Sequence, residues 1–239
     1  MMTMVRMEII EKAMNVFDSF KYFHEQYFLT YDALASLELL LDHNEIFLMP
    51  FNFELQKISG RLEIDELGTT IAVNSNHSQN RQTFTIAHEL GHFYLHSHKR
   101  KTFTETKLSE NLYSLGEVLI EREANLFASE LLIPEEVLEK MLVKKFNYFR
   151  ISNTIGVSTE ALKWRIHRYV MFKYNTDYRL ALMVTEDYRI KSMEMNHSRA
   201  FIFIMDKNKY LQREIFEEIM ERESFFENLL HKREEVSLY

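Results

Sequence analysis

No cysteine occurs among the 239 residues. A disulfide framework and thiolate metal ligands are both excluded, so any metal site must be built from histidines and carboxylates. The lack of thiols suits a reducing compartment. Glycine is scarce, at 5 residues, and proline scarcer, at 2. With no Ser/Gly-rich tract either, no flexible linker is expected, and any domains should be joined tightly. No internal repeat is visible. No stretch approaches the roughly 18 consecutive apolar residues of a membrane span. Glu8, Glu11, Lys12 and Asp18 break up the start of the chain, which lacks the apolar core of a signal peptide. A soluble cytoplasmic protein is expected, with no membrane association. The net charge of -7 argues against general affinity for nucleic acid.

What is present is ample core material: 46% of residues are hydrophobic and 13% aromatic, enough for one large domain or two small ones. Apolar residues at helical spacing (Ile10, Ala13, Met14, Phe17, Phe20) predict a helix over 7–22. A second is predicted from Thr30, as its cap, to Leu41. Short strands are then expected at Ile46–Met49, Gln56–Ile58 and Thr69–Val73, punctuated by Gly60 and Gly68. A polar loop over 74–80 leads into a further helix. Helices are predicted over 117–132, after Pro134, and over 139–169 with a turn at Gly156. The pattern then reads as strands at Arg179–Val184, 189–195 and 201–205, followed by a long amphipathic helix over 207–233.

One motif carries chemistry. In His88-Glu89-Leu90-Gly91-His92 the histidines are four apart, about 40° around a helix, so both imidazoles share a face. Such a pair can hold a divalent ion, usually zinc. Glu89 lies where it can act as general base on a metal-activated water. Gly91 permits close approach of another element. The competing reading, two surface histidines beside a carboxylate, needs no metal.

A catalytic zinc needs a third protein ligand and an open position. Glu121 is one candidate: it shares a helix face with Asn125, near the small Ala124 and Ala128, which let two helices press together. Asn125 would then fix the tautomer of a ligand imidazole. Glu123, the local competitor, lies about 160° away around the helix. His98 would complete a metzincin pattern, but Leu95 stands where that pattern needs a glycine. His96 follows on the same helix, and three ligands along one straight helix cannot wrap a tetrahedral ion. Tyr94, Tyr113 and His96 are the candidate oxyanion or substrate contacts.

Taken together, Arg81-x-x-Phe84-x-x-Ala87-His88-Glu89-Leu90-Gly91-His92-x-x-x-His96 and, further on, Glu121-x-x-Ala124-Asn125-x-Phe127-Ala128-x-x-Leu131-Leu132-x-Pro134 resemble the ImmA/IrrE metallopeptidases. The resemblance spans roughly residues 45–170 and extends to Gly156-Val157-Ser158-x-x-Ala161-Leu162-x-x-Arg165. It implies an α+β, zincin-like core with the histidine helix at its centre. It implies a zinc peptidase of bacteria, phages or mobile elements that cleaves helix-turn-helix repressors of the XRE type and so relieves repression of stress, phage or excision genes. His88, His92 and Glu121 would hold one zinc per chain, with manganese as the alternative ion, and Glu89 would be the base. Residues 1–44 form a helical segment outside the resemblance. The peptidase domain would occupy 45–172, and 173–239 would add a C-terminal α/β segment.

Charge is unevenly spread. Residues 144–173 carry net +6, leaving -13 for the remainder. Gly156 ends one helix and Ser158 caps the next, a helix-turn-helix outline. Lys163, Arg165 and Arg168 are candidate contacts to DNA or a partner, although such outlines recur in ordinary helical packing. Two rival functions follow: a metal-stabilised regulatory module that binds DNA or a repressor without cleaving it, and a toxin neutralised by an XRE-type antitoxin.

Overall fold

In the computed structural model the described residues are 2–27, 31–53, 58–106 and 115–205. The chain divides into two compact units, Met1–Arg165 and Ile166–Tyr239. The first unit begins with α1 (Met2–Tyr27) and α2 (Ala33–His43). The buried face of α1 is formed by Ile9, Ala13, Val16, Phe17 and Phe20, with Met14 about half exposed. That face is therefore rotated slightly from the predicted stripe. The cap of α2 is Asp32, whose carboxylate accepts from the Ala35 N–H at 2.9 Å. The helix thus starts after the predicted Thr30, where an aspartate supplies the acceptor that the free N–H groups of a first turn require.

Four strands follow: β1 (Ile46–Phe51), β2 (Ile58–Asp65), β3 (Gly68–Asn74) and β4 (Thr102–Thr106). Their order is β1-β3-β2-β4, parallel between β1 and β3 and antiparallel elsewhere. Alternation buries Leu62, Ile71, Val73 and Phe103 on one face and exposes Phe47 and Phe51 on β1. Gly60 does not end a strand, as the sequence suggests. It lies within β2, at a register shift between Ile58 and Gly60 against β4. The helix α3 (Gln79–His96) packs on β2, β3 and β4 and also on α4 (Leu115–Leu132), which packs on α1. The core gathers around Ile86, Leu90, Phe127 and Leu131 of α3 and α4.

Two short helices, α5 (Glu135–Val143) and α6 (Tyr148–Ile155), complete the first unit, and α7 (Thr159–Tyr174) starts in it. Pro134 is the cap residue of α5, one position before its first turn. Gly156 closes α6 at φ +81°, a left-handed conformation that suits glycine. The Ser158 hydroxyl accepts from the Ala161 N–H at 3.1 Å.

The described part of the second unit contains no strand. Residues read as strands from 179 onward instead form α8 (Tyr178–Met193) and two short 3-10 segments, His197–Arg199 and Phe201–Phe203. The apolar run there has helical period: Leu180, Ala181, Val184 and Tyr188 are buried together. Asp177 caps the helix by accepting from the Leu180 N–H at 2.8 Å, and Arg189–Glu186 and Lys191–Asp187 pair along its surface. The predicted helix over 207–233 lies outside the described residues. Among those described, no helix is long and apolar enough to cross a membrane.

Candidate metal centre

Helix α3 presents His88, His92 and His96 once per turn, and all three are buried. What brings a carboxylate to them is the closeness of α4. A Cβ added to Gly91 would meet the Cα and carbonyl oxygen of Ala124 at 3.0 Å, so the backbones touch where both residues are small. One turn before Ala124, Glu121 reaches into the gap. Its carboxylate oxygens lie 3.2 Å from His88 Nε2 and 3.5 Å from His92 Nε2, and the two Nε2 atoms are 3.0 Å apart. The three donor groups lie within 4.8 Å of one another. The histidines are 1% and 0% exposed but Glu121 is 25% exposed, so the cluster is reached from the glutamate's side.

The backs of the two rings are held differently. Asn125 Oδ1 is 2.9 Å from His88 Nδ1 and accepts its N–H, turning Nε2 towards the cluster. His92 Nδ1 is 3.1 Å from His96 Nδ1, and His96 Nε2 is 2.9 Å from Glu123 Oε2. Phe103 of β4 stacks on His92, with centroids 4.4 Å apart and planes 11° from parallel. Glu123 therefore faces His96, while Glu121 faces the two Nε2 atoms.

Glu89 is fully buried, and neither carboxylate oxygen has a well-formed hydrogen bond. Its Oε1 lies 3.0 Å from where a Gly60 Cβ would stand, so the glycine of β2 leaves room for it. Burial raises its pKa to about 8, reinforced by the nearby Glu105 and Glu121; the charge of His88 and the Leu62 backbone pull the other way. Burial alone would lower the pKa of His88. The hydrogen bond to Glu121 and the charges of Glu105, Glu89 and Glu121 outweigh it and raise the value to about 9. His92 goes to about 4, through burial and then the neighbouring His88 charge, against the pull of Glu121. Its contacts with His88 and His92 hold Glu121 low, near 2, against the effect of burial.

This donor set fits a divalent cation. Two imidazole nitrogens and a carboxylate converge, and Glu89 sits buried beside them with neither oxygen in a well-formed hydrogen bond. Residues that sequence reasoning missed also belong here. Glu105 of β4 accepts from the Thr85 hydroxyl at 2.9 Å, one helical turn before Glu89. Glu105, Gly60 and Phe103 reach the site through strand register, for which no local signal exists.

Other predicted contacts lie elsewhere. Tyr94 packs its ring on Phe127, with centroids 5.7 Å apart, on the side of α3 away from His92. It sits two residues, about 200° of helix, from that histidine. Both nitrogens of His96 are engaged inside the protein, so it presents none to a substrate. Tyr113 lies outside the described residues. Arg165 is no surface contact. It is buried, donating from Nε to the Ile133 carbonyl at 2.9 Å and pairing with Glu130 at 3.0 Å, which ties α7 to α4 and the start of α5. Lys163 and Arg168 are half-buried, and the Lys163 ammonium lies 5.4 Å from the Trp164 ring centroid.

The residues of the cluster fall within a region that known proteins match. The family model for the IrrE N-terminal-like domain matches residues 42–167, which contain every residue of the cluster. A protein of Bacillus phage phi105, named uncharacterized immunity region protein 2, is 33% identical over 121 residues, covering 51% of this chain and 73% of its own length. Metallopeptidase ImmA of Bacillus subtilis strain 168 is 28% identical over 145 residues, covering 60% of this chain and 75% of its own length.

Proposed function

The chain belongs to the IrrE N-terminal-like peptidase family, and on that premise we propose that it is a zinc-dependent endopeptidase that cuts a helix-turn-helix repressor of the XRE type. The observation that carries this reading is the convergence of His88, His92 and Glu121 beside the buried, partnerless Glu89. Those three residues would hold zinc, which would supply Lewis acidity towards water and a carbonyl. The chain's own residues supply the rest. Asn125 and Phe103 fix the ligand rings, so that little reorganisation accompanies reaction. Glu89 is buried beside the cluster with neither oxygen in a well-formed hydrogen bond, which leaves it placed to take a proton and return it to a leaving amine. The partly exposed Glu121 marks the side from which a peptide approaches.

The repressor substrate is supported by the resemblance and by the phage relative, whose name places it in an immunity region. The rival reading, a metal-stabilised module that binds DNA through residues 144–173, loses Arg165 to the interior. The test combines the full chain, zinc and a helix-turn-helix repressor of the XRE type, taken from the neighbouring gene if that gene encodes one. Wild type is expected to bind about one zinc and to cut the repressor at one site, and Glu89→Gln to bind zinc but cut nothing. Undiminished cleavage by Glu89→Gln would refute the peptidase mechanism. Growth arrest dependent on Glu89, with no repressor cut, would favour the toxin reading instead.

A further inference from the structure

The metal reading leaves one pair beside the cluster unused: the buried His96 and the partly exposed Glu123. His96 is 1% exposed, so its ring nitrogens must be satisfied by the protein rather than by bulk water. Glu123 Oε2 lies 2.9 Å from His96 Nε2. An ionised carboxylate only accepts, so this nitrogen carries hydrogen. A neutral His96 then has a bare Nδ1, which faces His92 Nδ1 at 3.1 Å. Two bare nitrogens or two N–H groups would repel at that distance, so the hydrogen between them belongs to His92. His92 is thereby left with a bare Nε2, the atom that points at His88 Nε2 and Glu121. Each proton position follows from the one before it, beginning at the carboxylate.

We propose that Glu123 and His96 form a hydrogen-bonded relay that fixes the tautomer and orientation of His92 and thereby sets the affinity of the cluster for its metal. The inference rests on the metal-binding reading above and adds positioning residues to it. The relay also explains an asymmetry. His88 is backed by a neutral amide, Asn125, whereas His92 is backed by a carboxylate acting through a second imidazole. A carboxylate behind a ligand imidazole makes its metal-facing nitrogen more basic. Two glutamates two residues apart on α4 thus serve different atoms, Glu121 at the cluster and Glu123 at the far end of the relay.

The test uses the full chain and zinc alone, with affinity read by competition against a chromophoric chelator. His96→Leu keeps an apolar side chain in place but removes the acceptor, and should weaken zinc binding about 10- to 100-fold. His96→Asn places an amide oxygen close to where Nδ1 stood. It should recover most of that loss, whereas a role confined to packing would make the two variants alike. Glu123→Gln, which still accepts but without charge, should fall between wild type and His96→Leu. Should His96→Leu fail to fold, the Asn and Gln variants carry the comparison. In zinc-loaded wild type, long-range proton–nitrogen correlation spectra should show His96 protonated on Nε2 and bare on Nδ1. Equal zinc affinity across the variants, or a His96 proton on Nδ1, would overturn the relay. If wild type itself binds no zinc, the metal-binding reading falls and the relay with it.

Discussion

The contact between Gly91 and Ala124 makes a quantitative prediction. In Gly91→Ala the new Cβ would stand 3.0 Å from the Cα and carbonyl oxygen of Ala124 and 3.3 Å from its Cβ, where ordinary contact begins at 3.4 Å and extends to 4 Å. Backbone atoms cannot rotate away, so α3 and α4 must part by a few tenths of an ångström to restore ordinary contact. Two stability terms oppose each other. Alanine in a helix interior gains about 1 kcal/mol over glycine, while overpacking costs about 1–3 kcal/mol. The net change should be a loss of about 0–2 kcal/mol. Function should suffer far more. Glu121 moves with α4; a 1 Å misplacement costs on the order of 100-fold, so a shift of a few tenths of an ångström should cost several-fold to about 10-fold in turnover. Zinc affinity should fall with it. The double variant Gly91→Ala/Ala124→Gly should recover little, because it removes only the contact at 3.3 Å and leaves the backbone contacts at 3.0 Å. Thermal melts, chelator competition and repressor cleavage check this together. A Gly91→Ala protein about 1 kcal/mol more stable than wild type, with zinc affinity and cleavage unchanged, would show propensity acting unopposed and refute the close-contact reasoning.

Gly60→Ala should be harsher, since its Cβ would meet Thr85 Cγ2 at 2.3 Å and Glu89 Oε1 at 3.0 Å. Destabilisation of about 1–3 kcal/mol, with a loss of cleavage beyond what the melt explains, is expected; full activity would mean that Glu89 does not work from this pocket. Arg165→Ala breaks the buried ion pair with Glu130 and should cost about 3–5 kcal/mol in chemical denaturation. A change below 1 kcal/mol would return Arg165 to the list of surface contacts. The metal-free protein should lose thermal stability between pH 6.5 and 9. Glu89 and His88 both have folded pKa values raised above their ordinary ones, to about 8 and about 9. Their contributions are therefore full below 4.5 and 6.5 respectively and are lost as pH rises through the folded values. His92, lowered to about 4, contributes stability that is lost only as pH falls below 6.5, so it does not oppose the trend. Zinc should abolish the decline by replacing the His88 proton; a metal-free melting temperature flat or rising across that window would contradict the assigned shifts.

Legibility in the sequence followed the range of the interaction. His88, Glu89 and His92 were legible because their relation needs only one helix, and Glu121 because Gly91, Ala124 and Ala128 announced a close helix pair. Residues 179–195 were misread because a short apolar run such as Leu180–Val184 fits strand or helix equally until Asp177 is recognised as a cap. Gly60, Phe103 and Glu105 were invisible because they meet α3 only through the β2–β4 register and its irregularity, a long-range fact with no local mark.

His96 shows how far helical arithmetic can carry. Each step of four residues turns about 40°, so His96 lies about 80° around α3 from His88 and two turns along it. It has rotated off the axis on which His88 and His92 converge and moved along α4 as well. On α4, Glu123 lies about 160° from Glu121, too far round to share an ion with it. The two displacements meet: the histidine turned away from the cluster finds the glutamate turned away from it, at 2.9 Å. A third histidine in series is thus excluded as a ligand and left as a support by the same periodicity that makes the first two a pair. That consequence follows from the two spacings once α4 is known to touch α3 at Gly91 and Ala124.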